Sequence, residues 1–316
     1  MLTALPGTVV LALIGTANLA AQDASPPVET RDPGGEAGAT LVVNMKGPSA
    51  GDPFWTLVEQ GALQAGADYG VDVEVVSPPT DSDVASQVAL VEAGTAQGAA
   101  GMAIAVTDAA ALEPAIQAAI DQGVKVVLID SGGSDEGVTT VGTDDAAGAA
   151  LAGRYLCDSI PEGGKVAILK DLVTTTAGQA RAEASKAAVT GCGLELIMEV
   201  TADGDRAKGR AATEDILTQH PDLAGLFASD DEMALGAVEA LRTVGLLEQV
   251  VVVGYDALPE AREAIVAGDL EASVAQDPFG IGYAGVESLI QLIKGETLAP
   301  RIDTGVELIT QENAAG

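Results

Sequence analysis

Residues 224–256 read AGLFASDDEMALGAVEALRTVGLLEQVVVVGYD. The stretch opens on a short run of strand character, Ala224–Ala228, and turns at Ser229 and two aspartates. It continues into an Ala- and Leu-bearing run with helical spacing, Glu232–Val244, and closes on a β-branched run, Val250–Tyr255. Strand, helix and strand in this order and at this spacing make a βαβ unit, whose two strands lie parallel.

The same unit repeats outward in both directions. Upstream, strands are expected at Thr40–Met45, Asp72–Val76, Gly101–Ala105, Lys125–Ile129 and Thr139–Gly142, with helices at Phe54–Tyr69, Val84–Gln97, Leu112–Gln122 and Ala146–Ser159. A second series adds strands at Val166–Leu169, Glu195–Val200 and Glu271–Ala275, with helices at Ala177–Thr190, Ala207–Gln219 and Pro259–Ala267. A helix over Ile281–Lys294 and a strand over Val306–Ile309 finish the chain. The fold class read from this is α/β, with two doubly wound parallel-sheet, Rossmann-like domains. The first lobe is expected to span 40–143 plus 277–303 and the second 144–276 plus 304–316, joined by crossings near Asp144, Gln276 and Asp303.

Composition agrees and excludes partners. Hydrophobic residues are 47% of the 316 residues and aromatics only 3%, so Ala, Val, Leu and Ile build the core. Such residues suit buried parallel strands under Ala-rich helices. Against 47 Asp and Glu stand 15 Lys and Arg, a net charge of −32. That surface repels nucleic-acid phosphates and anionic lipid heads, so neither is an expected partner.

The first 21 residues carry no charge, hold an apolar stretch at Val9–Ile14 and end in small residues, the form of a secretory signal. Gln22–Ala39 is rich in Pro, Gly and acids and reads as a disordered leader. No Cys stands near the cleavage point, so an exported, free, periplasmic form is expected, with a monomer as its simplest state. In an oxidising compartment Cys157, late in one helix, and Cys192, just after the next, can bridge; two partly buried thiols are the alternative.

In doubly wound sheets ligands bind beyond the carboxyl ends of the strands. Lys46, then Asp52, Phe54 and Trp55, follow the first strand; Asp130, Asp230, Asp256 and Gln276 follow later ones. Ionised carboxylates accept two or more hydroxyl donors each, and aromatic rings cover C–H faces, a combination that suits a neutral polyol. Helix capping alone would explain Asp230 and Asp108, whereas Asp130 and Asp256 are each followed by a loop before the next helix.

The segments Leu226–Gly236, Val253-Gly254-Tyr255-Asp256, Asp52-Pro53-Phe54-Trp55, Val127-Leu128-Ile129-Asp130 and Ala275-Gln276 resemble the ribose-binding branch of type I periplasmic binding proteins, the solute receptors of ABC sugar importers. The resemblance runs from Thr40 to about Thr310. It implies a ligand pocket of Lys46, Asp52, Phe54, Trp55, Asp130, Arg181, Asp230, Asp256 and Gln276, in which Asp130 and Asp256 grip hydroxyls, Arg181 donates to oxygens and the aromatics stack on the sugar. It further implies an ABC permease as partner, with a chemoreceptor as a possible second one. Asp52 and Asp230 stand where ribose binders have Asn, Ser131 where they have Arg, Ala105 where they have Asn, and Gly204 where an aromatic closes the pocket. The implied site is roomier and more acidic, which points away from ribose and keeps the polyol class. Lys46 with an early Pro resembles the autoinducer-2 receptor branch, and the extra carboxylates would welcome an amino sugar.

Other chemistries find little support. Gly280-Ile281-Gly282-Tyr283-Ala284-Gly285 matches a dinucleotide fingerprint but sits at the chain's end without its βαβ unit, so it reads as close helix packing. One His and two Cys cannot build a typical zinc site, and no acidic run has calcium-loop spacing, so no metal or cofactor is expected. His220 reads as a helix end, and no nucleophile has a paired base, so an enzyme is not expected. A DNA-reading repressor on this fold would need a basic segment where Gln22–Ala39 is acidic.

Overall fold

A computed structural model describes Met1 and residues 40–133 and 137–315. The expected secretory signal, Met1 apart, and the leader lie outside the described residues. The first sheet contains β1 (Thr40–Asn44), β2 (Asp72–Val76), β3 (Gly101–Ile104), β4 (Lys125–Ile129), β5 (Thr140–Gly142) and β11 (Arg301–Asp303), in the order β11-β5-β4-β3-β1-β2. The second contains β6 (Lys165–Lys170), β7 (Glu195–Thr201), β8 (Leu223–Ala228), β9 (Val251–Asp256), β10 (Ala272–Ala275) and β12 (Glu307–Thr310), in the order β12-β10-β9-β8-β6-β7. All pairs are parallel except β10 with β12. The chain leaves the first sheet after Gly142, returns to it at Arg301, and ends in the second. The three-residue β11 was not anticipated: Arg301-Ile302-Asp303 is short, charged at both ends and largely exposed, so it carries no strand signal.

Helices α1 (Pro53–Tyr69), α2 (Val84–Ala96), α3 (Ala109–Asp121) and α9 (Pro278–Ile293) flank the first sheet. α4 (Asp145–Ser159), α5 (Thr176–Gly191), α6 (Arg206–Gln219), α7 (Asp231–Val244) and α8 (Pro259–Ala267) flank the second. Each sheet has an apolar cluster on both faces: Val43, Val127 and Ile281 lie on one side of the first, and Val42, Met102 and Ile116 on the other. Aspartate is the helix starter. The side chains of Asp52, Asp83, Asp108, Asp144, Asp205, Asp230 and Asp277 each accept backbone N–H groups at a helix N-terminus. Each such cap is worth about 1 kcal/mol and a carboxylate there also meets the positive end of the helix dipole. Capping by Asp108 is why α3 begins at Ala109, one turn before its first large apolar residue.

The glycine-rich run at 280–285 packs a helix closely, and against another helix as well as the sheet. A Cβ at Gly282 would stand 2.0 Å from the carbonyl oxygen of Val58 in α1, and one at Gly285 would meet Ile129 in β4. Cys157 in α4 and Cys192 at the end of α5 form a disulfide with Cα atoms 6.1 Å apart.

The two sheets follow one plan, and their hydrogen-bond registers can be matched. In the first, Ala105 N donates to Asn44 O, and Ile104 lies opposite Leu128. In the second, Ser229 N donates to Leu169 O, and Phe227 lies opposite Val253, which puts Ala228 level with Gly254. Counting two residues beyond Asn44 and Leu169 equates Lys46 with Asp171. Counting two beyond Leu128 and Gly254 equates Asp130 with Asp256.

Candidate ligand-binding cleft

The carboxyl ends of both sheets face one cavity of about 70 Å³. Lys46, Asp52, Phe54, Trp55 and Asp130 line it from the first lobe. Arg181, Asp230, Asp256 and Gln276 line it from the second lobe and the crossing that leaves it. The fold therefore brings all nine predicted site residues together. The lobes touch at its edge, where Thr174 Oγ1 donates to Thr107 O at 2.9 Å and Gly132 N donates to Thr176 Oγ1 at 2.9 Å.

Two carboxylates stand apart from the capping ones. Asp130 directly follows β4 with φ 58° and Asp256 ends β9 with φ 106°, a backbone region that residues with a Cβ seldom enter. Strain of this kind persists where the surroundings over-determine it, commonly at functional sites. At each position it turns the carboxylate across the strand end into the cavity and delays the next helix. Both residues are buried, at 6% and 7% exposure.

Their surroundings differ. Lys46 Nζ lies 2.9 Å from Asp130 Oδ2 and donates to Ser131 Oγ at 3.2 Å, and Ser131 Oγ donates to Asp130 at 3.0 Å. Burial alone would lower the pKa of Lys46, but Asp130, Asp171 and Asp81 outweigh it and hold the ammonium above the ordinary lysine range. Asp256 accepts from Gln276 Nε2 at 2.5 Å, while Arg181 Nη1 stays 3.8 Å away. The guanidinium is committed elsewhere: Nε donates to Asp145 at 2.7 Å, Nη1 donates to Ser229 O at 3.0 Å, and its plane lies 3.9 Å from the Tyr255 ring centre. Burial pushes the Asp256 carboxyl up to about 7 against Arg181 and Gln276, and Asp130 and Asp52 add to the rise.

Asp52 and Asp230 each use one oxygen as a helix cap, on Phe54 N at 2.8 Å and Glu232 N at 2.7 Å. Burial raises Asp52 to about 6 despite these N–H donors, and burial with Asp256 and Asp171 nearby raises Asp230 well above the usual range. Phe54 and Trp55 serve the core and the cleft at once. Both are buried in the first lobe's core and both line the cavity, packed edge to face at 5.0 Å, because the first turn of α1 lies over the sheet's carboxyl edge.

Four further lining residues escaped the sequence reading. Asp81 lies in the polar run Thr80-Asp81-Ser82-Asp83, which reads as a turn, and accepts from Trp55 Nε1 at 3.4 Å. Asp171 directly follows β6, so the strand-exit rule could have found it. Glu232 is the second residue of α7 and pairs with Arg206 at 2.8 Å. Leu258 belongs to the second lobe's chain yet buries itself against the first lobe's Phe54 and Trp55 cluster, a contact across the cleft that no local pattern announces. Gly204 also lines the cavity and leaves its far side without a side chain.

Comparison with known proteins places this geometry. The family model described as a periplasmic binding protein domain matches residues 44–297. The ribose import binding protein RbsB of Escherichia coli is 32% identical over 262 residues, which cover 83% of this chain and 88% of the relative. The D-ribose/D-allose-binding protein of Pseudomonas aeruginosa is 32% identical over 275 residues, covering 83% and 86%. Among solved structures, an ABC transporter solute-binding protein of Agrobacterium vitis with bound D-fucose superposes with a TM-score of 0.83 at 26% identity, covering 87% of this chain and 96% of that one.

Proposed function

This chain belongs to the periplasmic binding protein domain family, and we propose that it is the solute receptor of an ABC importer, taking a sugar or related polyol into the cleft between its lobes. The observation that carries this reading is the pair Asp130 and Asp256. They come from opposite lobes, are held in strained backbone at matched strand ends, and are buried against one cavity. Each keeps one carboxylate oxygen that accepts nothing from the described residues. Two such oxygens on one cavity take hydroxyl donors from a single ligand only when the lobes are together.

Binding energy therefore favours the closed arrangement over an open one, since only closure lets both carboxylates act on one molecule. The hinge would be the crossings near Asp144, Gln276 and Asp303, dividing the chain into 40–143 plus 277–303 and 144–276 plus 304–316. The closed form would then dock on a membrane permease, which supplies ATP hydrolysis. Export through the N-terminal segment would place the chain where such a permease is met, and among the described residues no helix is long and apolar enough to cross a membrane. The role is capture and delivery, with no bond made or broken in the ligand.

Trp55, the single tryptophan, lines the cavity and gives the test. The purified chain is titrated with pentoses, hexoses and cyclic polyols while tryptophan emission and melting temperature are followed together. A saturable response with a rise in Tm is expected, since ligand at about 100 times its Kd adds roughly 2.7 kcal/mol of stability. Silence across the panel in folded, ligand-free protein overturns the proposal.

A further inference from the structure

The matched registers expose an asymmetry at the floor of the cavity. Lys46 stands two residues beyond the paired Asn44 in the first lobe, and its ammonium neutralises Asp130. The equivalent residue in the second lobe is an acid, Asp171, which lines the same cavity as the equivalent carboxylate, Asp256. Where one lobe carries a cation, the other carries an anion.

Nothing in the second lobe repairs this. Arg181 gives its short contact to Asp145 and remains 3.8 Å from Asp256. Asp256, at 7% exposure, keeps one carboxylate oxygen without a donor among the described residues. Asp171 receives no hydrogen bond or ion pair on its carboxylate from any described residue. Asp230 spends one oxygen on α7 and leaves the other free. Gly204, with φ 66°, lies between them: a Cβ there would be 3.3 Å from Asp171 Oδ1 and 3.8 Å from Asp230 Oδ2. The absent side chain thus leaves an open position flanked by two carboxylate oxygens that receive no hydrogen bond from the described residues.

We infer that the ligand is a sugar or cyclic polyol bearing an ammonium group, whose cation sits between Asp171 and Asp230 at the open position beside Gly204. The inference rests on the solute-receptor reading above and narrows its substrate class. An ammonium offers three donors in a compact charge, which matches two acceptor-only groups and leaves the hydroxyls for Asp130, Asp256 and Gln276 at the other end. A neutral hydroxyl at that position would bring no charge to balance these two half-buried carboxylates. Burial and the neighbouring Asp256 and Asp171 already push the Asp230 carboxyl up, so the empty site holds back a charge that a bound cation would release. Among the described residues no three such groups converge as a metal site.

The test uses matched pairs on the full mature chain: D-glucose with D-glucosamine, D-galactose with D-galactosamine, and myo-inositol with an amino-deoxy-inositol. N-acetylated amines serve as uncharged controls, and affinity is read by calorimetry. At least one amine is expected to bind tenfold or more tighter than its hydroxyl twin and its N-acetyl derivative. Asp171→Asn should erase that preference, bringing the amine and its hydroxyl twin to within about twofold of each other, with an unfolding transition confirming that the variant is folded. Neutral sugars binding as well as or better than the amines overturn the inference and leave the receptor reading standing. An amine preference that survives Asp171→Asn overturns the placement. No saturable binding by any member overturns the receptor reading and the inference with it.

Discussion

Asp130 and Asp256 occupy the same position in two copies of one sheet plan, and the contrast between them organises the molecule. The first is closed into an ion pair with Lys46 and a hydrogen bond with Ser131. The second has only a side-chain amide at close range, with its nearest cation turned toward Asp145. A shared backbone therefore does not fix a shared electrostatic state. The first lobe is built as a finished surface, and the second keeps unspent binding capacity.

The comparison can be broken most severely at Asp130. Asp130→Ala strands the buried Lys46 ammonium, and removing one partner of a buried pair typically costs about 3–5 kcal/mol. Urea unfolding should show that loss for Asp130→Ala and a much smaller one for Asp256→Ala; equal losses would mean that the lobes do not differ as described. Next in size is the disulfide, which only the second lobe possesses. A closed loop of this length stabilises by roughly 3–4 kcal/mol in the chain-entropy model. Reduction should lower the second lobe's unfolding midpoint by that much while the first lobe's stays in place, and mass spectrometry without reductant should find no free thiol.

A smaller effect concerns ligand. Asp256→Ala should weaken binding by about 1.5–3 kcal/mol, the scale of a charge-assisted hydrogen bond, and calorimetry with any ligand found by the fluorescence panel measures it. The smallest is a pH dependence. Asp256 is raised in the folded state to about 7, above its unfolded value, so the native form holds more protons across the interval between them. Its contribution is present at low pH and is lost as pH rises through 7, by about 1 kcal/mol between pH 6 and pH 7. Asp256→Asn should remove that part of the slope from denaturation midpoints measured at the two pH values.

Much of this was legible because parallel α/β architecture writes itself locally. A β-branched run must be buried on both faces and an Ala-rich run must cover it, so the strand ends and with them eight of the nine predicted cavity residues could be located from the chain alone; Arg181, inside α5, came only from the family resemblance. What escaped depends on neighbours distant in sequence. Leu258 counts as a cleft residue only because α1 brings Phe54 and Trp55 against it. The electrostatic states of Asp130 and Asp256 were hidden for a similar reason: both read as Asp after an apolar strand, and only the assembled cleft shows which receives a lysine. Asp171 is a different omission, a strand-exit carboxylate that followed the rule already in use. Seven of the 47 acidic residues cap helices, where the N-terminal N–H groups welcome their charge.

The position of α9 has a consequence for the order in which the molecule can be completed. Ile281, Val286, Leu289 and Ile290 of that helix form one wall of the first lobe's core, and β11 completes the same sheet at residues 301–303. A chain that has emerged only as far as Asp277 already holds five parallel strands of the second sheet and all the helices that flank it. Its first sheet at that moment still lacks its edge strand and has one apolar face covered by α1 without α9. The lobe synthesised first is therefore finished last, and through most of its synthesis the nascent protein offers chaperones an unfinished N-terminal half.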